Sequence, residues 1–199
     1  MANVSLGVKG WAVQMDIITV TLLVSAFFYF IFATVWMGTT VGEVGLRAVT
    51  MVLAGMMFAS FFRTFTFDFS LSKNEMRQLF TWTLISLAIN LTINFALRKV
   101  MGAALDIPRS TAVFQGVGEE VLFRLWLFPW LYRMTRSDLL AAILTASAFT
   151  AMHFARYGAD PLALMIVFGG GFILSYAVLQ TRRLAAPMLG HCLINFLAG

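Results

Sequence analysis

The sequence predicts an all-α polytopic membrane protein, a bundle of about seven transmembrane helices with an intramembrane polar cavity. Of its 199 residues, 60% are hydrophobic and 12% are charged, whereas soluble domains have about 45–50% apolar and about 25% charged residues. The mean hydropathy is +0.86. The apolar residues form runs long enough for helical spans, which need about 20 residues each. Several runs also contain ionisable side chains, which predict the cavity.

Seven apolar runs follow one another along the chain, and each is predicted to be one span. Short polar connectors separate them, with prolines at positions where a helix cannot continue or can begin. No repeat, low-complexity segment or long linker interrupts the pattern, so residues 1–199 are predicted to be a single transmembrane domain. The predicted spans are 13–36, 46–62, 79–97, 111–130, 138–155, 161–180 and 184–198.

The net charge of +5 is spread over the connectors, so it indicates contact with lipid and excludes a clustered nucleic-acid-binding face. A multi-pass protein of the cell membrane is therefore predicted. Basic residues favour a cytoplasmic N-terminus by eight to five. The eight on that side are Lys9, Arg63, Lys73, Arg77, Arg133, Arg136, Arg182 and Arg183, and the five opposite are Arg47, Arg98, Lys99, Arg109 and Arg156. The single cysteine, Cys192, permits no internal disulfide and is predicted to lie in the core.

Three spans contain side chains that are costly to bury in a bilayer, by about 2.5 to more than 10 kcal/mol for a charge. The fourth span has two carboxylates and a guanidinium, the fifth has a histidine, and the seventh has a histidine and an asparagine. These residues are Glu119, Glu120, Arg124, His153, His191 and Asn195. Such residues in a span indicate a functional site.

Helical geometry assigns the two carboxylates different surroundings. Glu120 and Arg124 are four residues apart, the spacing of an ion pair within one helix. Glu119 is rotated by about 100° from Glu120. We therefore expect Arg124 to neutralise Glu120, while Glu119 faces the polar cavity.

Four of these residues are predicted to lie at a similar depth in the bilayer. We call them the polar quartet: Glu119, His153, His191 and Asn195. The fourth span runs opposite to the fifth and the seventh. At 1.5 Å per residue, all four fall in the same half of the bilayer, within about 10 Å of a common level. Two asparagines of the third span, Asn90 and Asn94, are instead predicted to make structural hydrogen bonds between helices. The glycines 169–171 predict close packing of the sixth span.

Three motifs carry a family resemblance: Glu119-Glu120-x-x-x-Arg124, Phe149-x-x-x-His153 and His191-x-x-x-Asn195. Their order and spacing resemble those of the CPBP family, the CAAX proteases and bacteriocin-processing enzymes, also called the ABI family or type II CAAX prenyl endopeptidases. The resemblance covers the half of the chain that bears the motifs, residues 111–199.

The resemblance implies a glutamate-type intramembrane endopeptidase that uses neither a covalent intermediate nor a cofactor. Glu119 would be the general base, and His153 would help it to activate water. His191 and Asn195 would stabilise the oxyanion, while Glu120 and Arg124 would be structural support. The implied partners are the bilayer and a peptide or protein substrate. Prenylated C-terminal peptides, leader peptides and sorting tails of membrane-anchored proteins remain open.

Other classes of function stay open at this point. A zinc-dependent metalloprotease would use Glu119, His153 and His191 as ligands with one open position, although the sequence has no H-E-x-x-H motif. A non-enzymatic immunity or scaffold protein of the same fold is the second alternative. A transporter that relays protons through buried carboxylates is the third, and no internal repeat supports it.

Overall fold

The computed structural model describes residues 12–36, 39–101 and 109–198, and nearly all of them are helical. The long helices are α1 (Ile17–Trp36), α2 (Thr39–Phe61), α3 (Lys73–Met101), α6 (Asp138–Met152), α8 (Pro161–Thr181) and α9 (Ala185–Ala198). Between α3 and α6 lie α4 (Arg109–Glu120), a π-helical segment (Val121–Leu127) and α5 (Phe128–Thr135). The single turn α7 (Phe154–Tyr157) connects α6 to α8.

Local capping explains where several helices begin and end. Ser72 and Glu75 form a reciprocal capping box at the start of α3. The side chain of Asp160 accepts hydrogen bonds from the first turn of α8, and Pro161 occupies its first position. Arg182, with a φ of 57°, ends α8 in the left-handed conformation.

Each predicted span overlaps helical structure, but several predicted ends are wrong. The first span was expected from residue 13, whereas Val13–Met15 form strand β1 and α1 begins after Asp16. Asp16 caps α1 by accepting a hydrogen bond from the backbone N–H of Thr19 at 2.9 Å. The second span, 46–62, overlaps a helix that covers 39–61, and the third, 79–97, lies in one that covers 73–101. The last two spans end within one residue of α8 and α9.

The fourth predicted span, 111–130, is not one regular helix. It continues to Thr135 and contains the π-helical segment, in which the N–H of Phe128 donates to the carbonyl of Phe123, five residues earlier. The hydroxyl of Thr64 donates to the carbonyl of Leu125 within this segment at 2.8 Å. π-Helical turns of this kind occur often at functional sites.

A small parallel pair of strands closes one end of the bundle, which the all-α prediction did not include. Strand β1 (Val13–Met15) pairs with β2 (Phe65–Phe67), and Gln14 also bridges to Arg183 at the turn between α8 and α9. Arg183, predicted as a connector charge, is 1% exposed and pairs with carboxylates from three segments. These are Asp16, Asp68 and Glu75 at 3.9, 3.5 and 2.9 Å, and we call the four residues the Arg183 network.

Helix α2 packs against α4 and the π-helical segment, and α9 packs against α4. Helix α3 packs against α8 and α9, and α6 packs against α8. The core along this part of the chain contains four fully buried apolar side chains, those of Val117, Val121, Leu125 and Phe128. Large apolar side chains of the outer helices are exposed instead, such as Phe28 on α1. Many exposed large apolar side chains are characteristic of surfaces that contact a membrane or another protein.

In the described part of the chain, two helical stretches have the length and composition to cross a membrane, Glu43–Phe61 and Pro161–Thr181. Shorter apolar helices are Ile17–Tyr29, Asp138–Met152 and Ala185–Leu197. The prediction of seven spans is therefore not confirmed. Helix α3 contains several charged and polar residues, and α4, with 12 residues, is also shorter than the about 20 residues that a span needs.

Candidate functional site

A polar cavity of about 100 Å³ lies between α3, α4, α8 and α9 and is closed on one side by the end of α6. We call it the central cavity. All four members of the polar quartet line it. The other lining residues are Asn90, Ile93, Ala112, Gln115, Phe149, Arg156, Tyr157, Val167, Gly170, Leu174 and Ile194.

Glu119 lies near the end of α4 and is 2% exposed. Its Oε1 accepts a hydrogen bond from Nε2 of Gln115, one turn earlier, at 2.8 Å. Its Oε2 lies 3.6 Å from Nε2 of His191 on α9. The carboxylate is therefore held from its own helix and faces the cavity beside an imidazole from another.

His191 connects the two neighbouring carboxylates. Its Nδ1 is 2.7 Å from Oε1 of Glu120, and its Nε2 points toward Glu119. Because a carboxylate only accepts, Nδ1 carries the hydrogen in this contact. The distance to Glu119 is longer than a hydrogen bond, so Nε2 remains free to interact with a substrate oxygen.

The ion pair predicted between Glu120 and Arg124 is confirmed. Nη1 of Arg124 lies 3.0 Å from Oε1 of Glu120, and both side chains are 0% exposed. The other amino group, Nη2, donates to the carbonyl of Gly171 on α8 at 2.8 Å. The guanidinium also lies 4.6 Å from the ring centroid of Phe149 on α6. Arg124 thus joins α4, α8 and α6 behind the cavity.

His153 lies at the end of α6 because the regular helix stops at Met152, short of the predicted end at 155. Its Nδ1 is 2.8 Å from the carbonyl of Phe149. A carbonyl only accepts, so Nδ1 carries a hydrogen, and in the neutral imidazole Nε2 is then the acceptor. The ring of Tyr157 stacks parallel to the imidazole, with 6.1 Å between centroids. The ring plane and tautomer of His153 are thereby fixed.

Asn195 is held against the start of α4. Its Nδ2 donates to the carbonyl of Ala112 at 2.8 Å. A Cβ atom at Gly116 would lie 3.0 Å from the same Nδ2, so the missing side chain at this position lets α4 and α9 approach each other. One hydrogen of the Asn195 amide remains for another acceptor.

Sequence reasoning missed Gln115 and Tyr157 and gave another role to Asn90 and Arg156, and all four line the central cavity. Gln115 was missed, although a polar residue four before Glu119 in an apolar span is a detectable signal. Asn90 was assigned to contacts between helices, yet it lines the central cavity. The side chain of Asn94 lies outside the described residues. Cys192 is buried as predicted, and its Sγ lies 3.5 Å from the carbonyl of Val113.

Potential metal ligands do not converge here. Within residues 12–36, 39–101 and 109–198, no three His, Cys, Asp or Glu side chains form a group that could hold a metal ion. Glu119 and His191 are neighbours, and the contact of Nδ1 of His153 with the carbonyl of Phe149 leaves only its Nε2 as a possible ligand atom. The zinc alternative has no preformed ligand set among these residues, and the absence of a cofactor stays a prediction.

Comparison with known proteins supports the family resemblance over the C-terminal half. Residues 105–197 match the model of the Rce1-like family, described as type II CAAX prenyl endopeptidase Rce1-like. The chain is also similar to the membrane-embedded CAAX protease MroQ of Staphylococcus aureus (strain USA300), with 32% identity over 77 residues. That stretch is 39% of this chain and 31% of the relative, so the match spans about a third of the relative's length. No solved structure matches the chain.

Proposed function

We propose that this chain, whose C-terminal half resembles the CAAX proteases in sequence and in its three motifs, is a glutamate-type intramembrane endopeptidase. The observation that carries the proposal is the position of Glu119. Its carboxylate is oriented by Gln115 and lines a polar cavity among apolar helices, together with His153, His191 and Asn195. A buried carboxylate beside imidazoles in a small cavity is suited to general base catalysis on water.

In the proposed reaction, Glu119 takes a proton from water, and the water oxygen attacks the carbonyl carbon of the peptide bond. Nε2 of His153 is an acceptor that lines the same cavity, so it can hold the second hydrogen of that water and orient its lone pair. The carbon–nitrogen bond then breaks, and the proton held by Glu119 passes to the departing amine. No covalent enzyme intermediate forms.

His191 and Asn195 are assigned to the oxyanion that develops during the attack. Both residues line the cavity. His191 is fixed by the contact of its Nδ1 with Glu120, which leaves Nε2 for the oxyanion, and Asn195 is fixed by one hydrogen of its Nδ2, donated to Ala112, which leaves the second hydrogen of the same nitrogen. Preset donors of this type usually supply the largest stabilisation of the transition state. When His191 carries both hydrogens, Nδ1 donates to Glu120 and Nε2 can donate to the oxyanion.

The test is cleavage by the purified protein in lipid nanodiscs, followed by mass spectrometry of a library of apolar peptides. Glu119→Gln and His153→Ala are each expected to abolish cleavage while helical content and thermal unfolding stay near those of the wild type. Glu43→Gln is a matched control, because Glu43 is an exposed carboxylate on α2 away from the cavity. Near-normal cleavage by either cavity variant would exclude the mechanism. A folded wild type that cleaves nothing would favour the non-enzymatic alternative.

We also propose that seven helical stretches cross the cell membrane with the N-terminus in the cytoplasm. The support is the bias of basic connectors and the apolar outer surface of the bundle. Because Cys192 is buried, cysteines introduced at Arg77 and Arg156 can be labelled against a low background. An impermeant maleimide applied to intact cells should label only the second position. The reverse pattern would invert the orientation.

The substrate is proposed to be a peptide segment that reaches the cavity from within the membrane. The substrate can be identified by comparing the membrane proteomes of cells that express the wild type with those of cells that express Glu119→Gln. Proteins whose termini change only with the wild type are the candidates. The mass of each released fragment would then show whether the cleaved segment is lipidated.

A further inference from the structure

The third helix contributes a polar side chain to the central cavity from outside the region that matches the CAAX protease family. Asn90 on α3 is 8% exposed and lines the cavity. Ile93, the other lining residue of α3 among those described, is apolar. An asparagine buried at this position is costly unless its amide has partners.

The hydrogen bonds of Asn90 account for only part of its amide. Nδ2 donates to the carbonyl of Ser86, one turn earlier, at 2.8 Å. Among the described residues, no hydrogen bond to Oδ1 is recorded. Since an amide oxygen can accept two hydrogen bonds, Oδ1 of Asn90 keeps its acceptor capacity as far as the described residues are concerned, and Asn90 lines the cavity.

A glycine on the facing helix leaves room for this acceptor. A Cβ atom at Gly170 would lie 2.8 Å from Oδ1 of Asn90, closer than real Cβ contacts. By contrast, a Cβ atom at the neighbouring Gly169 would meet only Ile93, at an ordinary 3.8 Å. Gly170 therefore defines where the oxygen lies, and any side chain at this position would displace it.

A peptide that enters the cavity brings backbone N–H groups that have lost their contact with water. Inside a membrane protein each such group requires an acceptor, because an unsatisfied one costs several kcal/mol. The carboxylate of Glu119 is assigned to the water, and His153 is assigned to orienting it. Asn90 lines the same cavity, and its Oδ1, which accepts no hydrogen bond from the other described residues, is chemically suited to accept a peptide N–H.

We propose that Asn90 is a substrate-binding residue whose Oδ1 accepts a backbone N–H of the peptide held in the central cavity. This inference rests on the proposed peptidase function. It gives α3 a part in substrate recognition, so the binding site extends beyond residues 105–197. It also gives Gly170 a function, namely to keep the acceptor in place.

The test pairs enzyme variants with backbone-modified substrates. The probe is a quenched-fluorescent apolar peptide that the wild type cleaves and Glu119→Gln does not. A series of derivatives replaces one N–H at a time, away from the scissile bond, by an ester oxygen. We expect one derivative to lose about three- to tenfold in kcat/KM with the wild type, the effect of one typical hydrogen bond.

Asn90→Leu should abolish this discrimination, since the near-isosteric leucine has no acceptor, and it should raise KM more than it lowers kcat. Asn90→Asp retains the oxygen and should keep the ester penalty. Thr83→Val is the control for loss of a buried polar group on α3, because Thr83 is 5% exposed and does not line the cavity. An ester penalty that is unchanged in Asn90→Leu at every position would overturn the proposal.

A second measurement does not depend on the folding of the leucine variant. Gly170→Ala keeps Asn90 but displaces the end of its flexible side chain, so it should reproduce the lost ester discrimination. Gly169→Ala should leave the discrimination intact. Equal behaviour of the two alanine variants would contradict the role of Asn90. If the wild type cleaves no peptide, the peptidase proposal fails and this inference fails with it. If Glu119→Gln is inactive but the Asn90 variants keep the wild-type ester discrimination, this inference alone is rejected.

Discussion

Replacing Arg124 by alanine tests whether the buried ion pair behind the cavity holds the helices together. The substitution removes the pair with Glu120 at 3.0 Å, the hydrogen bond to the carbonyl of Gly171 at 2.8 Å and the contact with the Phe149 ring at 4.6 Å. Both charged side chains are 0% exposed, so water cannot replace the lost partner. Glu120 would remain as a buried charge with His191 as its neighbour.

Breaking a buried pair by removing one partner costs about 3–5 kcal/mol. Since native proteins are stable by about 5–15 kcal/mol, we expect Arg124→Ala to lose a large fraction of its stability and most of its yield. Removing both charges in Glu120→Gln with Arg124→Met should recover part of this loss, because no uncompensated charge stays buried.

The assay is reversible unfolding in mixed micelles, monitored by circular dichroism as the fraction of denaturing detergent increases. Arg77→Ala is the matched control, since Arg77 is an exposed arginine on α3, and it should change stability by no more than about 0.5 kcal/mol. If Arg124→Ala lowers the free energy of unfolding by less than about 1 kcal/mol, the pair contributes no more than an exposed surface ion pair does. The structural role assigned to Arg124 would then be wrong.

Two other predictions concern stability. Gly118→Ala should lower the free energy of unfolding by about 1–3 kcal/mol through overpacking, because its Cβ would lie 2.7 Å from the backbone oxygen of Ala48 on α2. Thermal unfolding is the measurement, and Gly169→Ala is the control. Hydrogen bonds from Ser72, and then from Arg183, lower the pKa of Glu75 from 4.5 to about 2. Its contribution to stability is therefore complete above pH 4.5 and is lost as the pH falls toward 2. Between pH 4.5 and 2, the unfolding midpoint of Glu75→Gln should decline less than that of the wild type. If both proteins show the same dependence of the midpoint on pH, the role assigned to Glu75 is wrong.

Local patterns in the sequence were sufficient to predict the approximate positions of the helices, though not their ends, and one contact of the site. Apolar runs predicted where helices lie, since burial in lipid requires apolar side chains and helical backbone hydrogen bonds. The pair of Glu120 and Arg124 was predictable because both residues lie four apart on one helix, and the structure has them at 3.0 Å. The three motifs predicted the family resemblance, which the comparisons confirm over residues 105–197.

The tertiary structure decided what depends on distant segments. The Arg183 network joins residues 16, 68, 75 and 183, and no local spacing indicates such a cluster. The shape of the cavity likewise depends on Gly170 facing Asn90 across two helices. Side chains far apart in the sequence become neighbours only through packing, and packing is set by the whole bundle. The sequence alone therefore determined which residues are costly to bury, and the fold determined which of them share one cavity.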